Sequence, residues 1–235
     1  MTSWIPSVTA ALALMFAATP ALAQTVSPLT EADGRHCTAD GAWCVASVGG
    51  AFVADHRGAL KPLEIDTGDG DYAIWPHAIV REDGALLGVT RTESTMYSGG
   101  GASASRLSLF FVPNESAAPA RIVLTDAPWS GDIMIRACFG PEDAGRRREA
   151  CHDQYRYRAT LTPGADGALT YAGVAEAYPA GVRRMNDNTD RRITRRDLRW
   201  ERDDACTVTR TLTPDASGVL QFDAPLPECS DYTAP

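Results

Sequence analysis

Thr160-Leu161-Thr162-Pro163-Gly164-Ala165-Asp166-Gly167-Ala168-Leu169-Thr170-Tyr171 returns 51 residues later as Thr211-Leu212-Thr213-Pro214-Asp215-Ala216-Ser217-Gly218-Val219-Leu220-Gln221-Phe222. Each copy reads as a strand, a turn built on Pro and Gly, and a second strand. Asp166-Gly167 and Ser217-Gly218 supply residues that tolerate positive φ, which tight hairpin turns need. Upstream of the first turn, Tyr155, Tyr157, Ala159 and Leu161 alternate with Arg156, Arg158 and Thr160, the mark of a half-buried antiparallel strand. In the second copy Cys206, Val208 and Leu212 take the inward positions and threonines the outer ones, with Arg210 standing where Ala159 does. The stretch predicts an all-β domain built of hairpins. Two copies do not make a repeat protein, which needs about three units to bury a core.

Outward from this stretch the chain keeps spelling strands. Residues 43–48 predict one. Residues 77–81, turned at Asp83-Gly84, pair with 86–90. Residues 105–112 and 121–125 follow, and Ile133, Ile135, Ala137 and Phe139 share one face of the next. Leu107-Ser108-Leu109-Phe110-Phe111-Val112 is apolar on both faces, which places it centrally. Turn signals at roughly 8–15-residue intervals suit an antiparallel sandwich or barrel-like domain. Pro141-Glu142-Asp143 predicts one turn of helix, stopped by Gly145. The Gly-rich run 98–103 reads as a flexible loop without the GK[ST] ending of a phosphate cradle. Residues 114–120 read as a second loop and a sub-boundary within a single β-rich domain spanning 24–235.

Residues 1–23 carry no charged side chain, and Ala10 to Ala18 is continuously apolar. Pro20 and Ala21-Leu22-Ala23 follow. This resembles a secretory signal peptide cleaved between Ala23 and Gln24. The apolar stretch is shorter than the roughly 20 residues a membrane span needs, and no second such run follows. Six cysteines behind such a leader imply an oxidising compartment and disulfides, hence a periplasmic or secreted protein. Sequence neighbours are the economical pairs: Cys37 with Cys44, Cys138 with Cys151, Cys206 with Cys229. The close C-x₂₋₄-C spacing of zinc sites is absent.

The net charge is −8. Residues 24–140 hold eight basic and fourteen acidic side chains, whereas 183–202 hold eight arginines and four acids. Such a surface has no nucleic-acid footprint. The interleaved charges of 183–202 read as an arginine-rich hairpin laced with ion pairs. Within it, the thirteen residues from Asn186 to Leu198 resemble the calcium loop of EF-hand proteins. Asn186, Asn188 and Asp190 would take the first, third and fifth ligand positions, and Asp197 the twelfth. Arg191 stands where that loop wants Gly, and Asp197 replaces its bidentate Glu.

Asp66, Asp69 and Asp71 form a second acidic group, which reads first as a solvated turn and otherwise as oxygen ligands for Ca²⁺. Glu64 and Asp71 are the acid pair a hydrolase could use. His36, His56, His77 and His152 show no metal-site spacing, and no G-x-S-x-G elbow is present. Trp75, Tyr97 and Trp129 sit beside Gly and Pro, where they could stack on sugars or cap the core. No catalytic residue and no cofactor is assigned. The expectation is a non-catalytic binding or structural envelope protein, with a glycan or an envelope protein as partner. The alternatives are a hydrolase of envelope polymers and an enzyme inhibitor that inserts a loop such as 96–104.

Overall fold

The computed structural model describes residues 24–65 and 69–235, so the predicted leader, 1–23, lies outside it. Its strands in chain order are β1 (Thr25–Pro28), β2 (Thr30–Ala32), β3 (Arg35–Cys37), β4 (Trp43–Val48), β5 (Ala51–His56), β6 (Ala59–Leu63), β7 (Asp71–Arg81), β8 (Gly84–Tyr97), β9 (Gly100–Pro113) and β10 (Arg121–Arg136). Helix α1 (Pro141–Arg146) follows, then β11 (His152–Pro163), β12 (Leu169–Tyr178), β13 (Glu201–Arg202), β14 (Val208–Pro214), β15 (Leu220–Phe222) and helix α2 (Ser230–Thr233). A ten-stranded antiparallel sheet runs β1-β7-β8-β9-β10-β11-β12-β14-β15, with β13 also paired to β12. A five-stranded antiparallel sheet runs β2-β3-β4-β5-β6. The large sheet ends on β1 and β15 and does not close into a barrel. The arrangement is sandwich-like.

Two cores explain why the stretch 107–112 of β9 carries apolar side chains on both faces. Leu107, Leu109 and Phe111 of β9 enter one core with Tyr155, Tyr157, Leu161, Leu169, Tyr171 and Leu212. Phe110 and Val112 enter the other with Trp43, Val45, Phe52, Ala54 and Leu63 of the small sheet. A strand covered on both faces keeps no polar alternation. Inside the first core the Tyr157 and Tyr171 hydroxyls lie 2.7 Å apart, and Tyr171 donates to the Pro128 carbonyl. Burial pushes both phenols above their ordinary value.

The echoed segments are equivalent hairpins. Leu161 stands opposite Tyr171, and Leu212 opposite Phe222, the same register 51 residues apart. Each turn closes with the same backbone hydrogen bond, Gly164 N–H to Ala168 O at 2.8 Å and Asp215 N–H to Val219 O at 2.9 Å. Gly167 and Gly218 share φ +80°, a left-handed conformation that glycine adopts without penalty. An arginine from the first half of the large sheet lies over each turn, Arg81 at Gly167 and Arg121 at Gly218. Both guanidiniums also lie against the Phe111 ring, 5.7 and 5.0 Å from its centroid.

The three disulfides join Cys37–Cys44, Cys138–Cys151 and Cys206–Cys229. Among the described residues no cysteine is free. Three such bridges fit an oxidising, non-cytoplasmic location. Among the described residues no helix is long and apolar enough to cross a membrane.

Several local expectations change. Residues 98–103 are not a loop: Tyr97 pairs with Gly100, so only Ser98-Gly99 turn and β9 begins at once. The regions around 121–125 and 133–135 belong to one long strand, β10, kept continuous by irregular register between Ile122 and Ser130. Phe139 lies beyond β10 and is exposed. Gly145 lies inside α1, which ends at Arg146. The Asp143 carboxylate accepts from the backbone N–H groups of Phe139 and Gly140 and so caps the start of that helix. Residues 183–200 form turns and irregular chain, not a hairpin.

That irregular segment is held by buried charge. Arg147 is fully buried and pairs with the equally buried Asp153 of β11. Its Nε donates to Ala150 O and its Nη1 to Asn188 O, so one guanidinium ties the Cys138–Cys151 loop to the arginine-rich segment. Burial raises the Asp153 carboxyl above its ordinary value, with Arg147 opposing the shift. Likewise Lys61 of β6, 3% exposed, donates to the carbonyls of Pro113, Glu115 and Ala118, fastening loop 114–120 to the small sheet.

Candidate functional site

Three of the exposed apolar side chains gather at one place. Met96, near the end of β8, is 84% exposed, Met134 of β10 is 44%, and Phe139 is 64%. They line an open groove of about 750 Å³ together with Arg136, His152 and the Cys138–Cys151 bridge. Contiguous exposed apolar patches mark interaction sites, whereas singly scattered apolar residues are ordinary.

Register explains how the groove arises. Met96 and Met134 both stand opposite Gly101 of β9. Gly101 has no side chain to fill the space between them. A Cβ there would come within 2.6 Å of the Met96 sulfur, so the thioether lies over the middle strand. On the far side Arg136 stands opposite His152 of β11. The Arg136 side chain is engaged, its Nε donating to Cys138 O at 2.7 Å and its guanidinium lying 5.2 Å from the Phe139 ring centroid. The disulfide fixes the loop that carries Phe139.

The residues singled out in the sequence do not assemble. Asp66 lies outside the described residues. Asp69 and Asp71 are exposed at the start of β7, beside Arg91 and Glu93. Among the described residues no three His, Cys, Asp or Glu side chains gather to hold a metal. Glu64 and Asp71 are both exposed.

The residues of the EF-hand-like segment turn to protein partners. Asp197 accepts from the N–H and hydroxyl of Thr194, Asn188 donates to Arg183 O, and Asp190 pairs with Arg146.

Trp75, Tyr97 and Trp129 sit on strands, not in turns, and form no exposed row. Trp75 is buried with Trp129 edge-on at 5.8 Å. Tyr97 stands apart, 42% exposed, its hydroxyl donating to Met134 O at 3.4 Å. His36 lies on β3, His56 stacks on Trp43 at 4.0 Å, and His77 lies beside Trp75. Only His152 of the four lines the groove.

No family model matches the chain, and neither a curated protein nor a solved structure matches it.

Proposed function

We propose that the chain is an exported protein, periplasmic or secreted, that binds an envelope protein without catalysing a reaction. The groove between the β8–β9 tip and the Cys138–Cys151 loop receives an apolar segment of that partner. The observation that carries this reading is the convergence of Met96, Met134 and Phe139, all exposed, on one open groove. A protein segment suits it better than a glycan. Sugar rings need aromatic faces flanked by hydrogen-bonding groups, whereas Trp75 is buried and the groove offers thioethers and one phenyl ring. Methionine adapts its shape to apolar partners, which favours a peptide surface. Export is supported by the three disulfides and by the uncharged apolar start.

Two measurements test the reading. The exported protein should have an intact mass that begins at Gln24, and a chain retaining Met1 in the cytoplasm contradicts export. A photo-crosslinking residue at Phe139 should trap a discrete protein partner in intact envelopes, while the same residue at the exposed Met185 should not. Equal trapping at both sites, or none at either, contradicts the groove.

A further inference from the structure

We propose that the pocket between the end of α1 and residues 192–193 binds a phosphate group through the guanidiniums of Arg148 and Arg192. The pocket is open, about 340 Å³, and lined by Gly145, Arg146, Arg148, Arg192 and Ile193. It shares no residue with the apolar groove, and no carboxylate lines it. Arg146 is already paired, its Nη2 meeting Asp143 at 2.5 Å and Asp190 at 3.4 Å. Arg148 and Arg192 are exposed, and among the described residues neither has a hydrogen bond or an ion pair. In a chain of net charge −8, one concave surface thus carries two cations without an acidic partner.

The two walls of the pocket are fixed to each other. The Ile193 N–H donates to Arg146 O at 3.1 Å, which brings residue 192 alongside the end of α1. The Ile193 side chain is buried. Arg147 fastens the same two segments a second time, pairing with Asp153 and donating to Asn188 O. Arg148 and Glu149 hold left-handed φ, +50 and +64°, a strained conformation for residues that carry a side chain. Such strain persists where the surroundings fix it, here between the Arg147–Asp153 pair and the Cys138–Cys151 bridge. The arginines therefore stand on a backbone that binding need not reorganise.

The donor set selects the ligand. A guanidinium presents a planar fork of N–H donors that meets phosphate oxygens two at a time, and it sheds water more readily than an ammonium. Two forks suit the three free oxygens and the charge of about −1.5 to −2 on a phosphate monoester. A carboxylate brings two oxygens and a single charge. A cleft lined by one sign of charge also concentrates its counter-ion. Free phosphate and a phosphatidic acid headgroup share this chemistry, and the test separates them.

The test follows the arginine Nε–H signals of the chain from Gln24 by NMR, at constant ionic strength. Inorganic phosphate should shift Arg148 and Arg192 along one saturable curve and leave Arg196 unmoved. Arg148→Ala and Arg192→Ala should each weaken binding at least tenfold, and Arg196→Ala should not. Arg196 is exposed on the same segment but does not line the pocket, so it separates a site from diffuse attraction. Acetate should bind at least tenfold more weakly than phosphate. Retention on phosphatidylcholine vesicles containing phosphatidic acid, lost in both pocket variants, assigns a headgroup. Phosphate saturation without retention assigns free phosphate, and either result supports the site. Four results overturn it: neither saturation nor retention, retention indifferent to both pocket arginines, an equal loss in Arg196→Ala, or acetate as tight as phosphate.

Discussion

Leu169 of β12 stands opposite Leu212 of β14, and both are fully buried. This contact joins the second strand of one echoed hairpin to the first strand of the other, so the two copies lie side by side in one sheet. Leu161 and Leu212 hold matching inward positions just before their turns, 7 and 0% exposed. Truncating a buried leucine leaves a cavity and costs about 2–5 kcal/mol. Leu161→Ala and Leu212→Ala should each lower the denaturation midpoint clearly. Thr160→Ala and Thr211→Ala, on the exposed face, should stay within about 0.5 kcal/mol. Urea unfolding checks both pairs, and costly threonines would mean that the strand faces are inverted.

The two turns differ in where their carboxylate stands, at Asp166 in the first and at Asp215 in the second. Asp215 occupies the position of Gly164, and its carboxylate accepts from the Ser217 hydroxyl and from the N–H groups of Ser217 and Val219. The Ser217 hydroxyl contributes most to holding Asp215 below its ordinary value of 3.8. A carboxyl depressed in the folded state adds stability above its unfolded pKa and loses it as pH falls through the folded value. The 215–219 turn should therefore loosen as pH drops below about 3.8. Amide signals of Ser217 and Val219 should titrate below that pH, and Asp215→Gly should abolish that step.

Arg147 and Asp153 predict a non-additive pair. Either charge left alone in the interior is expensive, about 3–5 kcal/mol, whereas an apolar replacement of both is often tolerated. Arg147→Met should destabilise the protein by about that amount. Arg147→Met with Asp153→Leu should recover part of the loss. Recovery stays incomplete because Ala150 O and Asn188 O lose their donor. A double-mutant cycle in urea measures the coupling, and strict additivity would contradict the buried pair.

Lys61 should behave differently, because its partners are carbonyls and not a carboxylate. Lys61→Met leaves acceptors at Pro113, Glu115 and Ala118 without their donor, at about 1–3 kcal/mol. Hydrogen exchange should rise in residues 114–120 before it rises in β9. Uniform protection across both would contradict the fastening role.

What the sequence made legible follows from how local each signal is. The alternation of residues 155–161 and the two-faced apolarity of 107–112 are imposed by burial within single strands, so they read directly. The Gly-rich run 98–103 misled because its composition matches a loop. Its strand conformation comes from pairing with residues 94–97 and 132–135, which composition does not reveal. Residues 183–200 misled for a related reason, since their path depends on Arg147, a charged residue that burial makes structural. The groove was least legible. Met96, Gly101 and Met134 become neighbours only through the register of three strands, and His152 only through a fourth. Isolated methionines carry no spacing signature.

The groove is tested most directly by selecting a displayed random-peptide library on the chain from Gln24, then measuring affinities by fluorescence anisotropy. Selected peptides should carry apolar anchors. Met96→Asp and Phe139→Asp should each weaken them at least tenfold, while both variants keep the wild-type unfolding midpoint, since both side chains are exposed. Peptides that bind the two Asp variants as tightly as the wild type would contradict the account.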